Sequence, residues 1–269
     1  MKKTLLSLAM TAALGVSGVA SATPLFLDFT VNTSSVPGEG AGVTFVADKI
    51  TGGYTESVHI SNTGGVTAAA YMDFGSFFKN QGTNLVFGTG LGATYGLYGL
   101  FTSTAQVISA TNFMGLSGTI SLWIDPNGDS LKTVVGGAIP SVSVTSGGAD
   151  DYMLAFSTSM IVGPSVGSIV PPPAFDFLFN QFTLTSTDQD LASAGVQSGK
   201  TFFVAPNPFF MVVELDGNIV GLNTAPGDYN VTGAGNATFN VPEPGSLALL
   251  GLGLAGLGLA KRRRNAAAL

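Results

Sequence analysis

Between residues 23 and 240 the dominant signal is short segments, bounded by Gly, Asn and Asp, in which apolar side chains recur at every second position, and no long stretch shows the three-to-four-residue spacing of an amphipathic helix. Such a pattern fits extended chain with one buried face, so the body must solve its folding problem by pairing strands. Between Tyr54 and Ile60, the residues Tyr54, Val58 and Ile60 share a face with Glu56, while Thr55, Ser57 and His59 take the other. Between Gly118 and Asp125, Ile120, Leu122 and Ile124 point one way and Thr119, Ser121 and Trp123 the other. Phe175, Phe177 and Phe179 alternate with Asp176 and Leu178, and Phe182 and Leu184 continue in the opposite phase. That phase change predicts a bulge near Asn180 and Gln181.

Further strands are expected at 25–31, 43–46, 69–74, 95–101, 131–135, 202–205, 210–215 and 236–241. Gly64-Gly65, Gly136-Gly137 and Gly147-Gly148 read as turns, and Pro171-Pro172-Pro173 as a stiff crossover or edge loop. Many short strands, glycine turns and Ser/Thr-rich outer faces predict an all-β body, an antiparallel β-sandwich of jelly-roll type. A body of about 218 residues suits one such domain. The competing architecture is an outer-membrane barrel, which also alternates but needs strands of about 9 to 11 residues.

The two ends depart from this pattern. Met1-Lys2-Lys3, the apolar run Leu5 to Val19, and Ala20-Ser21-Ala22 have the order of a secretory signal peptide at residues 1–22, with Ala20 and Ala22 marking the cleavage site. At the other end, Pro242 and Pro244 hold Glu243 in extended chain. Residues 246–260 are uncharged and almost entirely Leu, Ala and Gly, giving a helix of roughly 22 Å at about 1.5 Å per residue. Lys261, Arg262, Arg263 and Arg264 then act as a membrane stop on the cytoplasmic side, leaving everything before them exported.

Without these ends the body holds fifteen acidic residues against four lysines, Lys49, Lys79, Lys132 and Lys200, and no arginine, a net of −11. That charge repels phosphate backbones and argues against nucleic acid as a partner. The chain has no cysteine, so an exported body must rely on core burial in place of disulfides.

Candidate chemistry is sparse. His59 is the only histidine, and Glu56, which a triad with His59 would recruit, points to the opposite face of an extended strand. No nucleophile-elbow glycine pattern surrounds a serine. With one histidine and no cysteine, a zinc site would need several carboxylates. Asp125, Asn127 and Asp129 occupy the first, third and fifth places of a calcium-loop opening, but Gly128 stands fourth instead of sixth, and Gly136 replaces the closing glutamate. A hairpin turn and a calcium loop both remain open there, with Asp150-Asp151 as a further source of ligands. Trp123 is in phase with Thr119 and Ser121, so it is either a stacking platform for sugar rings, with Tyr95 or Tyr98 beside it, or part of a second buried face.

The terminal order of Val241-Pro242-Glu243-Pro244-Gly245 (241–245), the apolar segment 246–260 and the basic cluster 261–264 resembles the PEP-CTERM sorting signal. The resemblance implies that Pro242, Glu243 and Pro244 are the recognition motif for an exosortase, that 246–260 is a temporary inner-membrane anchor, and that the basic cluster is its stop. A plain C-terminal anchor behind a proline turn is the alternative. Asp48-Lys49-Ile50-Thr51-Gly52-Gly53-Tyr54-Thr55-Glu56, Tyr95-Gly96-Leu97-Tyr98, Ile124-Asp125-Pro126-Asn127-Gly128-Asp129 and Ala149-Asp150-Asp151-Tyr152 resemble runs of flocculation-associated PEP-CTERM proteins. That likeness implies a surface or matrix protein acting with exopolysaccharide in flocculation or biofilm, with no catalytic residues and no required cofactor. A carbohydrate-binding module using Trp123, with or without calcium, is the second expectation. Signal peptidase, the export machinery and an exosortase are the partners expected during maturation.

Overall fold

The computed structural model describes residues 26–38, 41–110, 112–157, 166–170, 174–177, 199–205, 210–218 and 225–240. Both terminal segments and the bulge expected near Asn180 lie outside them. The described chain is antiparallel β-structure, as the alternation predicts, and its strands are often longer than the sequence pattern alone delimits.

Four long strands follow one another up and down: β3 (Lys49–Ile60), β4 (Gly65–Lys79), β6 (Gly96–Ser109) and β7 (Asn112–Asp125). Ahead of them run β1 (Phe29–Asn32) and β2 (Thr44–Ala47), and the two-residue β5 (Asn84–Leu85) pairs with the end of β4. After them come β8 (Leu131–Val135), β9 (Ser141–Ser146), β10 (Tyr152–Ser157), β11 (Val166–Val170), β12 (Ala174–Phe177), β13 (Phe203–Ala205), β14 (Phe210–Asn218) and β15 (Gly227–Asn240). A single helical turn, Gly199–Phe202, precedes β13.

Backbone pairing runs β3 to β4 to β6 to β7, on through β11, β12, β14 and β15, and back from β15 to β3. Eight antiparallel strands therefore form a closed ring. The described inward faces of β3, β4, β6, β7 and β15 join in one shared hydrophobic core. Closure leaves these strands few open edges to manage.

The inward positions follow from the phase read in the sequence. Tyr54, Glu56, Val58 and Ile60 of β3 lie opposite Met72, Ala70, Ala68 and Val66 of β4, and all eight are buried. Continuing round, Leu97, Phe101 and Ala105 of β6 and Phe113, Ile120, Leu122 and Ile124 of β7 are buried on the same side. Outward, hydroxyls pair across β6 and β7, Thr102 with Thr119 at 2.8 Å and Thr104 with Ser117 at 2.7 Å. Apolar inside and hydroxyl outside is the reverse of the polarity that a lipid-embedded barrel requires.

One end of the ring is closed by aromatic packing. The small sheet β13-β1-β2 brings Phe29 and Phe203 to within 6.0 Å, with Phe77 from β4 at 6.3 Å from Phe29 and Phe202 at 4.9 Å from Phe203. Phe29, Phe77, Phe202 and Phe203 are each almost wholly excluded from solvent. Burying rings in edge-to-face contact supplies much of the cohesion that the absent disulfides do not. Asp48, fully buried where β2 passes into β3, accepts from the backbone N–H groups of Gln81 at 2.6 Å and Gly82 at 3.0 Å. It thereby fixes a turn whose residues Asn80, Gln81 and Gly82 all have positive φ.

The hairpin β8–β9 forms a separate two-stranded sheet over the outer side of β3 and β4. Thr67 Oγ1 donates to Ala138 O at 3.3 Å, and Gly136 lies so close to Ser57 that a Cβ there would stand 3.0 Å from its hydroxyl. Ser57 and Ala69 point outward yet are buried, because this hairpin covers them. Small residues on that stretch of outer face let the second layer approach.

Candidate functional site: the Trp123 face and the paired acidic loops

At the Asp125 end of β7, the outer face of the ring meets the loops that follow β7 and β9. Tyr98 and Trp123 are direct neighbours across the β6–β7 pair, and their rings are parallel within 5° at 6.3 Å. The Trp123 indole N–H donates to Ser121 Oγ at 2.8 Å, which sets the ring's orientation from two residues earlier on the same strand. Trp123 is partly exposed, whereas Tyr98 is buried beneath it and beneath Lys132, whose ammonium lies 4.8 Å from the Tyr98 ring centre. Lys132 also pairs with Asp73 at 2.8 Å, joining the hairpin to β4.

Asp125 terminates β7 and is nearly fully buried. Its Oδ1 accepts from the backbone N–H groups of Asn127, Gly128 and Asp129 at 3.3, 2.7 and 3.3 Å, and its Oδ2 accepts from that of Ser130 at 2.9 Å. This is an aspartate-nucleated turn, with Gly128 at φ 71°. The carboxylate that would open a calcium loop is thus engaged by four backbone donors. Among the described residues, no three acidic or histidine side chains converge as a metal site.

The second acidic loop docks on the first. Asp151 Oδ2 accepts from Tyr98 Oη at 2.5 Å and from Ser130 Oγ at 2.6 Å, so Ser130 links Asp125 and Asp151 directly. Gly147 sits against Asp129 so closely that a Cβ would fall 2.4 Å from the Asp129 carbonyl oxygen, and its φ of 81° suits glycine alone. Burial raises the Asp151 pKa, reinforced by the nearby charges of Asp125 and Asp150 and opposed by the two hydroxyl donors. Burial, followed by the hydrogen bond to Asp151, also holds the Tyr98 phenol above its ordinary value. Chemically the face offers a partly exposed indole backed by a buried tyrosine, with a lysine and carboxylates at its margin. It can stack on a flat apolar surface and hydrogen-bond around it; it presents no nucleophile–base pair.

The other candidates fall elsewhere. His59 lies outward on β3, as its alternation predicts, with Nδ1 2.6 Å from Asp228 Oδ1 of β15, and Glu56 on the opposite, inner face. Tyr95 is buried at the aromatic end, 6.0 Å from Phe202, and takes no part in the Trp123 face. Ala20, Ala22, Pro242, Glu243, Pro244, Lys261, Arg262, Arg263 and Arg264 lie outside the described residues. Sequence reasoning singled out Trp123, Asp125 and Asp151 separately, but passed over Ser130 and Lys132, which join them. Their roles depend on contacts 21 and 59 residues away in the chain, beyond any local spacing.

Fold and face together define an antiparallel all-β protein without a recognisable catalytic constellation among the described residues. Residues 240–264 match the family model of the PEP-CTERM protein-sorting motif. The motif implies export, transient anchoring in the membrane through the C-terminal segment, processing by an exosortase, and delivery to the cell surface. No curated protein and no solved structure matches the chain. Among the described residues no helix is long and apolar enough to cross a membrane, and segment 246–260 is not among them.

Proposed function

We propose that the chain is a non-enzymatic surface or matrix protein that promotes cell aggregation together with exopolysaccharide, in flocs or biofilm. The sorting motif at 240–264 carries this reading, because it sends an all-β body to the compartment where such polysaccharide lies. In this reading residues 1–22 are removed by signal peptidase after export, residues 23–240 form the mature body, and the exosortase acts at Pro242-Glu243-Pro244. The hydroxyl-rich outer strands and the net negative body support a hydrated matrix role.

Comparing the C-terminal peptide mass of the extracellular protein from hosts with and without exosortase tests the sorting step. A terminus near Pro244 only when the exosortase is present is expected; an intact tail through Arg264 in both hosts overturns it. Deleting the gene should then reduce aggregation while polysaccharide synthesis continues, and unchanged flocs would remove the aggregation role.

A second reading, carbohydrate binding at Trp123, is favoured by the partly exposed indole stacked on Tyr98 and oriented by Ser121. Calcium could assist only by competing with the backbone donors that Asp125 now serves, or through Asp129 and Asp151. Titrating the purified protein with host polysaccharide, with and without chelator, separates the two readings. Trp123→Ala abolishes binding under the second and leaves aggregation unchanged under the first.

A further inference from the structure

The exposed apolar side chains of the body are unevenly placed. Among the described residues, Val43 and Val46 on and beside β2, Val204 on β13, and Leu85 and Phe87 in and just after β5 all lie around the aromatic-capped end of the ring. On β2, Phe45 and Ala47 turn to the core and Val46 to solvent, while Phe87 is 84% exposed. Apolar surface left together in this way marks a contact with something else. Lysine follows the same distribution. Lys49 begins β3, Lys79 ends β4 and is exposed, and Lys200 belongs to the helical turn ahead of β13. The fourth lysine of the body, Lys132, is paired with Asp73. Of the exposed acids near this end, Asp28 precedes β1, whereas Asp129 and Asp150 lie in the loops on the β6–β7 side.

The chain also leaves the ring here. Thr238 of β15 stands opposite Lys49, and Asn240 opposite Phe210, so β15 ends where β2 passes into β3. The sorting motif begins on that last residue of β15, and only residues 241–245 separate it from the apolar segment 246–260. Fully extended, this linker reaches at most about 20 Å. The headgroup layer takes up about 5–8 Å of that reach. Segment 246–260 is shorter than the ~20 residues of a comfortable span, which draws the linker further toward the membrane. An anchored chain therefore keeps this end of the ring within about 15 Å of the headgroups.

We propose that the capped end, on the side formed by β2, β13 and β5, is a membrane-contact face. It rests on anionic lipid headgroups while the tail is anchored, with Val46 and Phe87 entering the headgroup layer and Lys49 and Lys79 meeting phosphates. The contact holds Pro242-Glu243-Pro244 at the membrane surface for processing. It depends on the anchoring that the sorting motif implies, and not on any role in aggregation. Tethering brings face and lipid to a millimolar effective concentration, so a face too weak to hold the free protein is occupied in the anchored one and vacated after cleavage. Asp129 and Asp150 are repelled by anionic lipid, which confines the contact to the lysine side.

Because the chain has no cysteine, a single introduced one reports a single position. The full-length protein carrying Thr44→Cys on β2, or Ile108→Cys at the far end of β6, is labelled with bimane and reconstituted into exosortase-free vesicles. These contain phosphatidylethanolamine and phosphatidylglycerol, a fraction of the headgroups bearing a nitroxide quencher. Strong quenching is expected at Thr44→Cys and little at Ile108→Cys. Lys79→Gln should lower the docked-to-undocked ratio about fivefold, and Phe87→Ser about tenfold. Replacing phosphatidylglycerol by phosphatidylcholine should act in the same direction. Equal quenching of the two labels overturns the proposal. So does quenching at Thr44→Cys that Lys79→Gln and Phe87→Ser leave unchanged, which is the result a bare tether would give. Contact that appears only after exosortase is added assigns the face to the enzyme and overturns it as well. A chain that an alkaline wash strips from the vesicles has no anchor, and the sorting premise then falls together with the face; an anchored chain with equal labels removes the face alone.

Discussion

Replacing Glu56 by Gln should make the protein more stable at alkaline pH and abolish most of its pH dependence. The side chain is wholly buried without a partner among the described residues, and its pKa rises from 4.5 to about 8 through loss of hydration. The folded state therefore holds this proton more tightly than the unfolded chain does. Stability from Glu56 is fully present below about pH 4.5, declines as pH rises toward 8, and is gone above it. At about 1.4 kcal/mol per tenfold, the full swing is about 5 kcal/mol, comparable to the whole stability of a marginal domain. Asp151 shifts in the same direction but is partly exposed, so it adds a smaller change of the same sign. Gln keeps the shape and cannot ionise, so its curve should keep only the smaller fall from Asp151 where the native curve drops steeply. Urea unfolding between pH 4.5 and 9, followed by fluorescence of Trp123, the chain's single tryptophan, reads this directly. Coincident pH profiles for the two proteins would refute the reasoning, as would a native profile that rises between pH 5 and 8.

Three further substitutions probe the frame around the sites. Gly52→Ala places a Cβ 2.0 Å from the Asp73 carbonyl oxygen beside the β3–β4 bulge, and should cost about 1–3 kcal/mol or more in chemical denaturation; Gly75→Ala, with nothing within 4 Å, should be near neutral. Asp125→Ala removes the acceptor of four backbone N–H groups and should destabilise by about 1–3 kcal/mol, with the Trp123 emission shifting as the adjoining loops loosen.

The strands were largely legible from local chemistry. Period-two phase placed Tyr54, Val58 and Ile60 on one face and His59 on the other, and the structure keeps that division. It also put Glu56 in the apolar phase, a signal that predicts its burial once that face becomes the core. Strands β9 and β11 were not anticipated, since Ser141–Ser146 and Val166–Val170 are too short and too polar or glycine-rich to stand out from loops, and neither was β10, whose apolar run Tyr152–Ser157 does not alternate. Their pairing comes from partners elsewhere in the chain, β8 for β9 and β7 for both β10 and β11.

By itself the sequence determined the class of structure, the outward or inward sense of each strong strand, and the destination encoded at 240–264. Those properties reside in residue type and spacing within a few positions, where sterics and hydropathy act directly. Only the tertiary structure decided that the strands close into a ring, that β8–β9 covers Ser57 and Ala69, and that Ser130 ties Asp125 to Asp151. Only it left Glu56 enclosed without a partner among the described residues. Each of these depends on which distant segments meet, and that choice is made by the summed burial and hydrogen bonding of the whole chain, which no single stretch contains.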